Sequence, residues 1–222
     1  MATKYTFDQY KQIFNNAIKK YEGQSFFSAL TQKLGSPAFP SERRNVAAIG
    51  IRHKGKEVHN REDTADDTIV LVRLDSDGLP QVYEYAGTTE SGDFVQIENP
   101  EGDFRMSPGF YFFKLGMHHG VNPCLVQASD VLGERAKKGQ VYNETDDKIW
   151  EITDGSLHIH AGILNKNHVG NWSAGCQVIA EGWTGAPWLE FYKYVKIATN
   201  FPVPYVLVND TDIPELLGVS PN

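Results

Sequence analysis

Large apolar residues recur at helical spacing near the start of the chain. They repeat every three or four positions, and the stripe consists of Phe7, Tyr10, Phe14, Ile18 and Tyr21. Thr6 and Gln9 stand at the spacing of a capping box, in which each side chain accepts a hydrogen bond from the other residue's backbone N–H group. A second short helix is expected between Ser25, its predicted cap, and Gly35. We therefore expect residues 1–40 to form a helical cap that packs on the rest of the chain.

From Asn45 onward the pattern changes to short apolar runs that are typical of β-strands. They are rich in β-branched and aromatic residues, and glycine, proline and aspartate separate them. The runs expected to form strands are Val46–Arg52, Asp67–Leu74, Pro80–Thr88, Phe110–Leu115, Leu125–Ala128, Lys148–Ile152, Ser156–His160 and Tyr205–Asn209. Asp77-Gly78 is a hairpin signal, and a helix is expected at Trp188–Ala198. Residues 41–222 are thus predicted to form a mostly β (α+β) domain with peripheral helices.

Composition and charge exclude several classes of protein. The 222 residues are 41% hydrophobic and 22% charged, which is ordinary for a globular domain. The net charge is −7 and no run of Lys or Arg exceeds two residues, so a nucleic-acid partner is not expected. No stretch approaches the roughly 18 apolar residues of a transmembrane segment. The amino terminus has no signal-peptide pattern, so we expect the protein to be cytoplasmic or exported by a non-classical route.

The residues best suited to chemistry fall in one segment. His158 and His160 are two positions apart in a predicted strand, so their side chains point to the same face. Cys176 follows Gly175, and it is one of two cysteines, too few for a disulfide scaffold. The other, Cys124, is expected in the core, with two separate thiols favoured over one disulfide. A cysteine nucleophile needs a nearby imidazole, and an adjacent glycine leaves the backbone open to a substrate carbonyl.

Two motifs in this segment resemble the signature of L,D-transpeptidase catalytic domains, the YkuD-like family. In that family, a strand ending in an apolar residue, His and a small residue is followed by a glycine-containing loop that ends in Ser/Thr-His-Gly-Cys. The corresponding motifs here are Ile159-His160-Ala161-Gly162 and Ser173-Ala174-Gly175-Cys176. Thr88–Gly92 and Met106–Phe110 resemble two upstream segments of the family in the same order. The similarity spans Val46 to Ile179.

The resemblance implies an L,D-transpeptidase-like β-sandwich and cysteine-dependent acyl transfer on peptidoglycan stem peptides or their fragments. By this resemblance Cys176 is the nucleophile, which forms a thioester, and His160 is the base, with His158 as its rival. Backbone N–H groups of Cys176 and Gly175 would stabilise the oxyanion. The residues expected to contact substrate are His158, Trp172, Ser173 and Gln177. An amine acceptor gives transpeptidation, water gives L,D-carboxypeptidase activity, and no metal or organic cofactor is implied.

Two departures from the family pattern keep other interpretations open. Ala174 stands where the family usually has His, and Gln177-Val178 stand where an apolar residue and then Arg or Asn are common. One alternative is a cysteine peptidase or amidase on other peptides, and another is a non-catalytic binding domain on the same fold. A third is a zinc site that combines His158 and His160 with Cys176 or with His118-His119, although no HExxH or Cys-x-x-Cys motif completes it.

Overall fold

The computed structural model describes residues 3–53, 65–92, 103–136, 149–153, 155–163 and 169–219. The helices of this part are α1 (Phe7–Tyr21), α2 (Ser25–Leu34), α3 (Ala186–Lys196) and α4 (Ile213–Leu216), with short 3-10 turns at Gly170–Trp172 and Asp210–Asp212. The strands are β1 (Val46–Arg52), β2 (Asp67–Leu74), β3 (Pro80–Thr88), β4 (Asp103–Met106), β5 (Gly109–His118), β6 (Asn122–Gln127), β7 (Val131–Ala136), β8 (Ile149–Ile152), β9 (His158–Ala161), β10 (Gln177–Ile179) and β11 (Val203–Asn209). Among the described residues, no helix has the length and hydrophobicity needed to span a membrane.

The predicted helices are present, with small corrections at their ends. The capping box of α1 is confirmed, because Thr6 Oγ1 accepts from the Gln9 N–H and the Gln9 side chain accepts from the Thr6 N–H. The expected Ser25 cap of α2 is wrong by one residue, since Gln24 has the extended backbone of the cap and Ser25 is already helical. Helix α3 begins two residues before the predicted Trp188, because the preceding Pro187 fits the first turn of a helix.

Eight strands of the described chain close into a barrel in the order β1-β11-β5-β6-β9-β10-β3-β2. The pairs β1–β11 and β9–β10 are parallel, and the other six are antiparallel. The mostly β, α+β class is confirmed, whereas a barrel replaces the expected β-sandwich. The reason is β10, whose three residues pair with β9 on one side and with β3 on the other. A strand this short has no pattern of its own, and without it β9 and β3 would be free edges.

A second, three-stranded sheet has the order β4-β7-β8. Strands β4 and β7 were not expected from the sequence. The predicted strand Lys148–Ile152 corresponds to β8 (Ile149–Ile152), and Lys148 lies outside the described residues. Gly133 of β7 lies under the Phe104 ring of β4, where a Cβ atom would overlap that ring. Phe104 also touches the turn before β10, because a Cβ on Gly175 would lie 2.8 Å from the Phe104 carbonyl oxygen. The small sheet therefore packs directly against the segment that carries Cys176.

One buried hydrogen bond crosses the barrel. The Tyr205 hydroxyl on β11 donates to Gln177 Oε1 on β10 at 2.6 Å, although three other strands separate these two strands around the wall on either side. Gly50 on β1 makes room for it, because a Cβ at this position would overlap the Tyr205 hydroxyl. Helix α1 packs against β5, β11 and β3 and shares one hydrophobic core with the barrel.

Tyr205→Phe tests this crossing bond. We expect the free energy of unfolding to fall by about 1–3 kcal/mol, because the variant leaves a buried amide oxygen of Gln177 without its donor. The measurement is urea denaturation, in which the m-value should be the same for the variant and the wild-type protein. Tyr192→Phe is the control, since the Tyr192 hydroxyl has no hydrogen-bond partner among the described residues. Equal losses in the two variants would contradict the assignment.

Candidate active site

The parallel pairing of β9 with β10 brings Cys176 next to His158. Gln177 lies opposite Ile159 and Val178 lies opposite His160, so the residue before Gln177 adjoins the residue before Ile159. The His158 backbone N–H donates to the sulfur of Cys176. Cys176 Sγ also lies 4.0 Å from the Ser156 carbonyl oxygen. The thiol of Cys176, just before β10, therefore lies beside the start of β9, the strand that carries both imidazoles.

Two predicted substrate contacts, Ser173 and Gln177, instead hold the turn around Cys176. Ser173 Oγ donates to the Cys176 carbonyl at 2.8 Å and accepts from the Gly175 N–H at 3.1 Å. Gln177 Nε2 donates to the Gly175 carbonyl at 3.3 Å, while its oxygen accepts from Tyr205. Both side chains are buried, with 1% of Ser173 and none of Gln177 exposed. Their polar groups are already paired, and this placement does not favour direct contact with a substrate.

The two predicted oxyanion donors differ in their surroundings. The Gly175 N–H is paired with Ser173 Oγ in this structure. The Cys176 N–H has no acceptor among the described residues. A backbone N–H that keeps its hydrogen free is the kind of donor that stabilises a developing oxyanion. The geometry thus favours the Cys176 N–H over the Gly175 N–H for this role.

His160 is held in the tautomer that a general base needs. Its Nδ1 lies 2.9 Å from the Ala161 carbonyl oxygen, which can only accept, so Nδ1 carries the hydrogen of the neutral ring. Nε2 therefore keeps its lone pair, and this buried nitrogen has no hydrogen-bond partner among the described residues. The ring stacks on His118, with centroids 4.2 Å apart, and on Trp183 at 5.8 Å.

His158, the rival base, has both its ring and its backbone engaged. The Gly155 carbonyl accepts a hydrogen bond from the imidazole. Nδ1 of the same ring lies 2.8 Å from Nδ1 of His118, so one of these two nitrogens donates to the other. Since Nε2 of His160 has no such partner, the geometry favours His160 over His158 as the proton acceptor.

Burial keeps both candidate groups neutral at pH 7. Burial away from solvent raises the pKa of the Cys176 thiol to about 11, and the hydrogen bond from the His158 N–H partly offsets this shift. Loss of solvent also lowers the pKa of His160 to about 3, against a smaller opposite effect of the Ala161 carbonyl. At rest the pair is therefore a thiol and a neutral imidazole, and the thiol must lose its proton as it attacks.

Two neighbours of His160 were not predicted as parts of the catalytic site, although the zinc alternative had grouped His118 with His158 and His160. The predicted strand ended at Leu115, whereas β5 continues to His118, which pairs with Asn122 of β6. This extension carries the ring onto His160. Trp183 comes from the turn between β10 and α3 and has no local signal in the sequence.

The remaining candidates lie around this cluster. Trp172, a predicted substrate contact, is half-buried and packs beside Gly162, where a Cβ would lie 3.1 Å from the indole. Cys124 is fully buried, and its pKa is raised to about 12 by burial and by repulsion from a charged Cys176. No group of three or more His, Cys, Asp or Glu side chains in the described ranges is arranged to hold a metal ion.

The neutral resting pair predicts the pH dependence of Cys176 alkylation. With a pKa of about 11, the thiolate fraction and hence the rate with iodoacetamide should rise about tenfold per pH unit between pH 7 and 9. Peptide mapping by mass spectrometry separates this rate from that of Cys124. A thiolate–imidazolium pair would instead give a rate that is flat across this range, and such a plateau would refute the neutral pair.

The lowered pKa of His160 predicts a loss of stability in acid. Below its unfolded pKa of 6.5 and down to about 3, the unfolded chain binds a proton that the folded chain rejects. The contribution of this group to the free energy of unfolding is fully present above pH 6.5 and decreases as the pH falls. Between pH 7 and 5 it decreases by about 2 kcal/mol. His160→Asn keeps a donor for Ala161 but does not titrate, so its stability should fall less. Denaturation at both pH values measures the difference, and equal losses would rule out the buried neutral ring.

Comparisons with family models, with curated proteins and with solved structures found no match to this chain.

Proposed function

We propose that the protein is a cysteine acyltransferase or hydrolase of the L,D-transpeptidase type, with Cys176 as nucleophile and His160 as base. The observation that carries the proposal is the parallel register of β9 and β10, which sets the thiol beside the strand that bears both histidines. The orientation of His160, with Nδ1 on the Ala161 carbonyl and Nε2 unpaired, supports its role as proton acceptor. The motifs around Ile159–Gly162 and Ser173–Cys176 support the substrate class through their resemblance to that family.

The proposed reaction has two acyl-transfer steps. Cys176 Sγ turns from the Ser156 carbonyl and attacks a substrate carbonyl, while the thiol proton passes to His160 Nε2. The carbon–nitrogen bond breaks, the departing amine takes that proton, and a thioester remains on Cys176. An acceptor amine or water then attacks the thioester, gives its proton to His160, and the thiol is restored. The Cys176 N–H stabilises the oxyanion in both steps.

The proposed substrate is the stem peptide of peptidoglycan or of its fragments. By the resemblance, the attacked carbonyl joins the L-centre of a diamino acid to the following D-Ala. Transfer to an amine gives a cross-link, and transfer to water gives a shortened peptide. The departures at Ala174 and Gln177 lie beside the nucleophile, and Gln177 is engaged with Tyr205 rather than open to a carboxylate.

Incubation with disaccharide-tetrapeptide fragments tests this function. Mass spectrometry should show loss of D-Ala, its exchange for an added D-amino acid, or cross-linked dimers. Cys176→Ala should abolish all three products, and His160→Asn should slow them by about 10²-fold or more, the usual contribution of a general base. Cys124→Ser is the matched control, with activity kept within about tenfold. Unchanged fragments with folded wild-type protein would overturn the proposal.

The burial of the thiol favours one other candidate, a non-catalytic binding domain. Only 8% of Cys176 is exposed, and its pKa is raised rather than lowered as in reactive cysteines. Under this alternative, fragments bind without chemical change, and Cys176 is alkylated no faster than Cys124 in their presence. The transferase proposal instead predicts a chemical change in the stem-peptide fragment. The fragment is either released from Cys176 or retained on it as a thioester of matching mass.

A further inference from the structure

A buried ionic cluster joins the barrel to the small sheet. Glu90 follows β3, and its carboxylate lies 3.1 Å from Arg52 Nε of β1 and 3.5 Å from Arg105 Nη1 of β4. Arg105 also donates from Nε to Glu134 of β7 at 2.6 Å. The side chains of the two arginines are 1% and 3% exposed, and those of the two glutamates 7% each. Because charges this deep are costly to leave unpaired, the cluster fixes the relative positions of its strands.

The segment that carries Glu90 is fixed at its other residues as well. Arg52 Nη2 donates to the Thr89 carbonyl at 2.9 Å, and Asp67 Oδ2 accepts from the Thr89 N–H and hydroxyl at 2.7 Å each. The Glu90 N–H donates to Thr88 Oγ1 at 3.1 Å. The backbone after β3 therefore has one defined course as it approaches the turn of Cys176.

This segment is bonded directly to the Cys176 turn. The Gly92 N–H donates to the Ser173 carbonyl at 2.9 Å, and Gly92 packs so closely on Gly170 that a Cβ would overlap the Gly170 backbone. Ser173 in turn bonds both Gly175 and the Cys176 carbonyl. A short path of contacts thus runs from the carboxylate of Glu90, through Gly92 and Ser173, to the candidate nucleophile.

We infer that Glu90 is a positioning residue for Cys176. It acts without touching substrate, because its carboxylate binds Arg52 of the barrel and Arg105 of the small sheet at once. Arg105 follows Phe104 in the chain, and the Phe104 carbonyl oxygen packs against Gly175. By binding Arg105, the Glu90 carboxylate therefore also fixes the part of β4 that packs against the turn of Cys176. The catalytic meaning of this role rests on the proposed function, whereas the placement of the thiol is measurable without it.

Glu90→Gln removes the charge and keeps the shape. Alkylation of Cys176 by iodoacetamide at pH 9 should become at least about tenfold faster, because the turn opens locally, while Cys124 stays within about twofold. In the wall-fragment assay kcat should fall at least about tenfold with KM within about twofold, and Glu90→Asp, which keeps the charge, should retain more of kcat. Glu84→Gln is the control, since Glu84 of β3 bonds Tyr10 and Lys4 instead.

The outcomes separate a local role from a general one. Equal acceleration of Cys124 and Cys176, or an effect of the same size in Glu84→Gln, would assign Glu90 to overall stability and overturn the inference. An unchanged Cys176 rate in folded Glu90→Gln protein would overturn it as well. If that variant does not fold, Arg105→Lys keeps the positive charge but loses the fork between Glu90 and Glu134, and the same selective acceleration is expected. Wild-type protein without activity on wall fragments would refute the proposed function alone, because the alkylation rates still decide the positioning role.

Discussion

The pairing of three residues, Gln177–Ile179, with strands on both sides is the constraint on which the rest of the structure depends. This pairing closes the barrel, because β10 bridges β9 and β3. It also aligns the chain so that the residue just before β10 meets the start of β9. The same pairing therefore both closes the barrel and assembles the candidate site. A shift of one residue in its register would turn the Cys176 side chain to the other face of the sheet.

Around this pairing, most polar side chains hold the backbone in place and are not available for a reaction. Gln177 joins the turn of Cys176 to Tyr205 across the barrel, and Ser173 fills the hydrogen bonds of the turn itself. Glu90 connects the same turn to two sheets through its arginine partners. Two polar groups beside this turn, Nε2 of His160 and the N–H of Cys176, have no partner among the described residues, and they are the groups that the proposed acyl transfer would use. Side chains that hold the backbone in place and polar groups without a described partner thus lie within a few residues of each other.

The parts of the fold that local physics decides could be predicted from the sequence. The capping box and apolar stripe of α1 act over a few residues, and β1, β2 and β3 are long enough to show strand patterns at their full length. Strand β7 was missed because its glycine, Gly133, is explained only by the Phe104 ring of β4.

The same division holds for the candidate site. Cys176 and His160 stand in local motifs, and so they could be named from the sequence as candidates. His118 and Trp183 reach the site through the length of a hairpin and the course of a distant turn, which no local pattern encodes. The engagement of Gln177 likewise depends on Tyr205, which arrives from the opposite wall of the barrel.

The neutral thiol of Cys176 has a consequence for the durability of the protein. Peroxide and related oxidants attack thiolates, and their damage follows the exposure and ionisation of each sulfur. A buried thiol with a raised pKa is ionised in only about one molecule in ten thousand at pH 7. Burial and the raised pKa of the Cys176 thiol therefore both slow its oxidation to sulfenic acid at neutral pH.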